Sequence, residues 1–133
     1  MNYFAYASNL SKKQMLERCA GSKPRFSATL PNYKLIFTEW SRQWRGGTAS
    51  IVRYTGEKVP GAVYEVPEHC WSILDKYEGY PASANRLKVI VFNEDGSAVE
   101  AVTYIKTGKL EDAPPSKEYI ATIQQGYRDW GIF

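Results

Sequence analysis

Tyr3-Phe4-Ala5-Tyr6-Ala7-Ser8-Asn9-Leu10 is the stretch whose reading decides the fold. Tyr3 to Tyr6 carry strand-forming side chains. Ala7, Ser8 and Asn9 are small and able to bond locally, so the strand should run into a tight polar turn. Ser11 then opens a helix. Ser11-Lys12-Lys13-Gln14 has capping-box spacing, with Gln14 placed to bond back to the Ser11 backbone. Strand, turn and helix start together aim backbone N–H groups into a crevice, which suits an oxyanion or a carboxylate. The plainer alternative is a first strand and a capped helix with no ligand.

Working outward, the first helix is expected from Lys12 to about Cys19, with Met15, Leu16 and Cys19 as its apolar stripe and Gly21 as its stop. Strands are expected at Arg25–Leu30 and Tyr33–Phe37, separated by a Pro31-Asn32 turn. Thr38 to Gly47 reads as a polar loop with two Trp and two Arg, whose glycine pair allows close backbone approach. Further strands follow at Thr48–Tyr54 and Val59–Val66, around a turn at Thr55 to Lys58, and Pro60 suggests an edge or irregular start. Pro67 opens a second helix with Cys70, Trp71, Ile73 and Leu74 inward, ending near Tyr77 at a left-handed Gly79. Arg86–Phe92 and Ala98–Ile105 alternate with period two and form the clearest hairpin. Lys109 to Pro115 is a loop. Ser116 caps a last helix, Lys117 to about Trp130, with Tyr119, Ile120 and Ile123 inward and Gly131 as its end.

This order neither alternates helix with strand nor segregates them. It gives an α+β class with a mixed, strongly curled sheet, in one domain spanning 1–133. The 133 residues carry a net charge of +3, with 44% hydrophobic and 23% charged residues. These are globular values. The mild positive excess does not argue for nucleic acid, where a clustered basic face is expected. Two Cys and one His have no usual metal spacing, so Cys19 and Cys70 are expected as buried free thiols in a reducing compartment. No basic region precedes a long apolar run, which leads us to expect a soluble cytoplasmic protein.

Chemistry-bearing residues are few. The single His69 adjoins Cys70 on a helix, and neighbours there point to different faces. Glu78 stands at the end of an apolar helix, before a glycine turn. The helix dipole opposes its charge, and Tyr77 and Tyr80 flank it; both effects raise a carboxyl toward the range of a general base. Asp75, three residues earlier, is its competitor or its partner. Arg42 or Arg45 could meet a substrate carboxylate, although exposed loop arginines are usually solvated. Trp40, Arg42, Trp44 and Arg45 could instead stack bases, but the run is short.

Seven motifs occur in order: YFAYASNL (3–10), ATLPNYKLIF (28–37), WRGGTASI (44–51), GAVYEV (61–66), LDKYEGYP (74–81), AVTYI (101–105) and PPSKEY (114–119). Together they resemble the gamma-glutamylcyclotransferase family, with its AIG2-like relatives, from Tyr3 to about Gly131. The resemblance implies a small α+β fold whose mixed sheet curls into a barrel around a cavity, with a few flanking helices. It implies intramolecular cyclisation of a gamma-glutamyl amide, releasing 5-oxoproline and an amine or amino acid, with no cofactor and no metal. The family's YGSNL turn falls on Tyr6 to Leu10, so the substrate-contacting segment carries over to Tyr3, Phe4, Ala5, Tyr6, Ala7 and Ser8. The acid of its D-x-x-E-G motif falls on Glu78, and the tyrosine of its P-S-x-x-Y segment on Tyr119.

Two departures stand out. Ala7 replaces the family's usual glycine; a positive φ there would cost about a kcal/mol, whereas mere closeness would tolerate a methyl. The tyrosine that usually precedes the next strand's arginine is absent: Ala84-Asn85 precedes Arg86, leaving Tyr80 as the candidate replacement. A gamma-glutamylamine substrate, an acylated precursor, or a binding module that kept the cavity are the competing expectations. The expected partner is a small gamma-glutamyl compound, with no nucleic acid and no membrane, and the expected assembly is a monomer or homodimer.

Overall fold

The computed structural model describes residues 1–108 and 110–132. Its elements are β1 (Asn2–Ala5), α1 (Lys12–Arg18), β2 (Lys23–Ser41), β3 (Gly46–Glu65), α2 (Glu68–Glu78), β4 (Ala84–Asn93), β5 (Ala98–Lys106) and α3 (Lys117–Trp130), with a 3-10 turn at Ser8–Leu10 between β1 and α1. The strands close into a barrel in the order β1-β3-β2-β4-β5. The β1–β5 pair is parallel and the other pairs are antiparallel, so the sheet is mixed as expected.

Closure follows from length. β2 and β3 are 19 and 20 residues long and form one curving hairpin. Strands of that length cannot stay flat, because twist accumulates and bulges bend them. The register shifts at Pro24/Phe26, Pro31/Tyr33 and Thr38/Trp40. The expected breaks at Pro31-Asn32 and at Thr55 to Lys58 are therefore not strand ends. They lie opposite each other: Pro31 pairs with Lys58 and Tyr33 with Arg53. Asn32 takes φ 63° and its side-chain oxygen accepts from the Gly56 N–H at 3.1 Å. The two turn signals satisfy one another inside continuous strands. Pro60 follows this irregularity and pairs with Thr29 on one side, and β1 pairs with β3 only from Ala62 onward. The polar stretch from Thr38 is likewise strand as far as Ser41.

β1 divides two cores by alternation. Phe4 and Tyr6 join a cluster drawn from all five strands, with Tyr119 and Ile123 of α3. Tyr3 and Ala5 join a second cluster with Met15, Cys19, Cys70, Trp71 and Leu74 beneath α1 and α2. Leu16, expected to face inward, is 57% exposed, and α1 buries only Met15 fully. Cys19 and Cys70 are not free thiols: they are joined as a disulfide with Cα atoms 5.8 Å apart. That removes the support two reduced cysteines lent to a reducing compartment. His69 lies close to both sulfurs and is exposed. Sulfurs bonded to each other have no thiolate to offer a metal.

α3 runs Lys117–Trp130 between a Ser116 cap, whose hydroxyl accepts from the Tyr119 N–H at 3.2 Å, and a left-handed Gly131. Such a cap stabilises by about 1 kcal/mol. α3 packs directly on the 3-10 turn, because Gly126 has no side chain to strike Leu10 and Ser11. Trp130 Nε1 donates to the Leu10 carbonyl at 2.8 Å, and Asp129 accepts from the Lys12 N–H at 2.9 Å. At the other end, Gly47 lets residues 113–114 lie against the β2–β3 hairpin, and its N–H donates to the Pro114 carbonyl at 2.9 Å. This lacing sets the start of α3, and with it Tyr119. Lys109, the first residue of the expected loop, lies outside the described residues. No helix among the described residues is long and apolar enough to cross a membrane.

Candidate active site

A cavity of about 230 Å³, partly open to solvent, lies where the first turn, the end of α2, the end of β5 and the β2–β3 hairpin meet. Tyr3, Tyr6, Ala7, Ser8 and Asn9 line it from the turn, Glu78 from α2 and Tyr119 from α3. Six expected residues, Tyr3, Tyr6, Ala7, Ser8, Tyr119 and Glu78, thus surround one space. Phe4 and Ala5 do not reach it. Both are fully buried in the β1 ladder, opposite Val63 and Ala62, and their side chains belong to the two cores. Strand alternation turns their side chains into the two cores rather than into the cavity.

The turn is held by side chains rather than by the expected capping box. The Ser11 hydroxyl accepts from the Gln14 N–H at 3.2 Å, as a cap should. The Gln14 amide does not return to the Ser11 backbone; it donates to Ser8 Oγ at 2.8 Å and Asn9 Oδ1 at 3.0 Å. Asn9 is the hub. Its Oδ1 also accepts from Arg18 Nη1 at 3.0 Å, and its Nδ2 donates to the Tyr3 hydroxyl at 3.1 Å. Ala7 takes φ −134° and ψ −126°, so the position does not need the positive φ that would favour glycine. Its methyl packs against the barrel core.

Glu78 is the last residue of α2, and Gly79 follows in the left-handed conformation with φ 81°. The helix therefore stops as it reaches the cavity and leaves the carboxyl inside it. Desolvation raises the Glu78 carboxyl above its ordinary value, while the Arg18 and Lys106 charges pull it down in part. Burial raises the Tyr3, Tyr6 and Tyr119 hydroxyls, and the Glu78 charge raises them further, so all three rings sit within its field. Neutral phenols are what such a pocket can hold next to a carboxylate. Of the two flanking rings, Tyr77 lines the cavity beside Glu78 and Tyr80 does not. Tyr77 is half exposed and lies under the Arg18 guanidinium at 3.9 Å, while Tyr80 lies under that of Arg86 at 4.9 Å. A tyrosine does accompany Arg86, from α2's trailing turn rather than from β4.

Asp75 is neither partner nor competitor. Its oxygens accept from Arg86 Nε at 3.0 Å and Nη2 at 2.6 Å, and from the Tyr104 hydroxyl at 2.6 Å. Arg42 and Arg45 are exposed and outside the cavity lining. The cations that do line it are Arg18, Lys76 and Lys106. Trp44 turns in on Tyr119, with ring centroids 4.9 Å apart, so the Trp40–Arg45 run is not one open stacking surface. The Tyr119 hydroxyl accepts from the Ala49 N–H at 2.9 Å, which fixes that ring in the wall.

The profile of the family described as "Gamma-glutamyl cyclotransferase, AIG2-like" matches residues 3–127. This chain belongs to that family. Gamma-glutamylcyclotransferase of Mus musculus is 30% identical over 98% of this chain and 71% of its own length. The Bos taurus protein of the same name is 31% identical over the same shares. A solved structure titled gamma-glutamyl cyclotransferase superposes with a TM-score of 0.94 at 29% identity, covering 99% of this chain and 80% of that one. Membership accounts for the ordered motifs and for the barrel.

Proposed function

We propose that this chain cyclises gamma-glutamyl amides, releasing 5-oxoproline and the amine, with Glu78 moving the proton. The observation that carries the reading is the position of Glu78: a desolvated carboxyl in the same cavity as the Tyr6–Asn9 turn. The chemistry asks little else of a protein. The substrate's own α-amine attacks its γ-carbonyl carbon and closes a five-membered ring, so no nucleophile and no water need activation. The Glu78 carboxylate takes the proton from the α-ammonium. The ring C–N bond forms and the oxyanion collapses; the old amide C–N bond breaks as Glu78 returns the first proton to the leaving nitrogen, and the second proton shed by the ring nitrogen follows it, so the amine departs as an ammonium and the lactam keeps one N–H. One molecule gives two, and the proton count is unchanged.

The chamber's tasks are to hold the bent conformer and steady the oxyanion. Correct positioning of reacting groups contributes roughly 7–11 kcal/mol in favourable intramolecular cases. In this proposal the Ala7 and Ser8 N–H groups anchor the glutamyl unit, and Tyr3, Tyr6 and Tyr119 shape the wall. A carboxyl raised by desolvation is a better proton acceptor than an ordinary one, and the Arg18 and Lys106 charges oppose part of that rise. A cytoplasmic setting belongs to the same proposal.

The test is 5-oxoproline release from a gamma-glutamyl amino acid, followed by mass spectrometry. The wild-type chain should turn over; Glu78→Gln should lose turnover by at least about 10²-fold, the low end of proton-transfer contributions, and still fold and bind. Normal release by Glu78→Gln would overturn the assignment.

A further inference from the structure

Of the three cations that line the cavity, Lys76 is exposed, and Arg18 and Lys106 are the two partly buried ones; the mechanism above uses neither as a binding group. Arg18 stands on the side of the first turn, held by Asn9 Oδ1 and stacked on Tyr77. Lys106 stands at the end of β5 against the β2–β3 hairpin, whose Glu39, Trp40, Gln43 and Trp44 also line the cavity. The Lys106 ammonium donates to the Thr38 carbonyl at 3.0 Å, to the Thr48 carbonyl at 3.3 Å and to Thr48 Oγ1. All three partners are neutral. Among the described residues no carboxylate is within ion-pair distance of it.

Placing an ammonium half-buried against neutral oxygens is costly, because desolvation outweighs what uncharged acceptors return. Burial accordingly lowers the Lys106 pKa, and only the fields of Glu39 and Glu78 oppose that. The hairpin wall therefore presents a positive charge that is positioned but not neutralised. If the glutamyl half of a substrate occupies the turn, its leaving amine extends toward this wall.

We propose that Lys106 is a specificity residue: its ammonium selects gamma-glutamyl amides by the charge on the leaving amine, favouring a carboxylate and rejecting a second ammonium. The inference rests on the cyclisation reading and deepens it. It separates gamma-glutamyl amino acids from gamma-glutamylamines by a single charge in the wall. Glu39, on the same wall, opposes the effect.

The experiment uses the full chain and three substrates of similar size: gamma-glutamyl-alanine, gamma-glutamyl-ethylamine and gamma-glutamyl-diaminoethane. Their leaving amines carry a carboxylate, no charge and an ammonium. Wild type should show kcat/KM falling about tenfold per step, the order expected of a partly screened pair. Lys106→Met should flatten that series, Lys106→Arg should keep it, and Glu39→Gln should steepen it. Because Lys106 also acts on the Glu78 carboxyl, its removal changes all three rates; that common factor cancels in the ratios, whereas a role in charge selection does not. Should Lys106→Met fail to fold, wild type in 0.05–0.5 M salt (roughly 14 to 4 Å of screening length) should show the series compressing. A wild-type series without charge order, or one that survives Lys106→Met, overturns the proposal. Absence of 5-oxoproline from all three substrates defeats the cyclisation reading itself, a different result from a flat series of active rates.

Discussion

Asp75 and Glu78 lie three residues apart on α2, yet one belongs to the barrel's flank and the other to its chamber. On the flank the carboxylate is answered: Asp75 accepts two bonds from Arg86 and one from Tyr104, above a core that holds the Cys19–Cys70 bridge. In the chamber Glu78 has no ion-pair partner among the described residues, only two cations acting from a distance. The helix ends between these conditions. A carboxylate with saturated acceptors is fixed in its charge state and serves as a fastener; one held in a field without contact can give and take a proton. The flank should therefore answer to stability measurements and the chamber to rates.

The strongest way to break this contrast is to exchange the readouts. Glu78→Gln is expected to remove turnover almost wholly while leaving the melting temperature at least as high as that of wild type. On the flank, Cys19→Ser with Cys70→Ser should leave kcat within a few-fold and lower stability by up to about 4 kcal/mol, the loop-entropy figure for a closure of this length. The closure spans a sequence separation of 51. Urea unfolding of the oxidised chain against the double variant measures it. A large loss of kcat without loss of stability would mean that the bridge works on the chamber, through Arg18 next to Cys19.

Parts of this division were legible in the sequence. The 84–106 hairpin follows from alternation, α3 from Ser116 and Gly131, and the end of α2 from Gly79, because each signal is local and tertiary contacts agree with it. Glu78, Tyr6 and Ser8 stand at motif positions, and the structure brings all three to one cavity. The bulge was not legible: Asn32 and Gly56 are turn formers 24 residues apart, and only the closed barrel sets them opposite one another. Lys106 and Arg18 read as ordinary surface charges at the ends of a strand and a helix. Nothing near them in the chain says that both point into one cavity. Gln14 was assigned to the nearest backbone partner because sequence spacing knows nothing of Asn9's place in space. The cysteine pair, 51 residues apart, is decided by how α1 and α2 dock.

A smaller effect sharpens the same comparison. Asp75→Asn keeps the shape of the side chain and removes its charge. The Arg86–Asp75 pair is partly exposed, with 35% and 16% of the two side chains accessible, so screening reduces its value. A loss of about 1–2 kcal/mol is expected from the charged bonds to Arg86 and Tyr104, read as a lower urea midpoint at constant slope. KM and kcat should move little beside Glu78→Gln. An Asp75→Asn enzyme as inactive as Glu78→Gln would show that the two carboxyls act as one unit.

The smallest effect concerns how the chamber spends stability to keep its acid in place. The ordinary Glu78 pKa is 4.5 and the folded value is raised, mainly by desolvation. Between those two values the folded chain holds a proton that the unfolded chain has released, so stability falls as pH rises through that window. Below 4.5 the contribution is absent, since both states are protonated; above the folded pKa it reaches its full, unfavourable size. Glu78→Gln cannot ionise and lacks this dependence. The stability difference between Gln and wild type should therefore be flat at low pH, grow in favour of Gln from pH 4.5 upward, and level off once the folded carboxyl has ionised. Urea midpoints at matched pH values give that curve, and the pH where it levels off should coincide with the acid limb of kcat/KM, because one proton governs both. A difference that instead shrinks with rising pH would mean that Arg18 and Lys106 outweigh desolvation, and that Glu78 is a paired structural acid like Asp75.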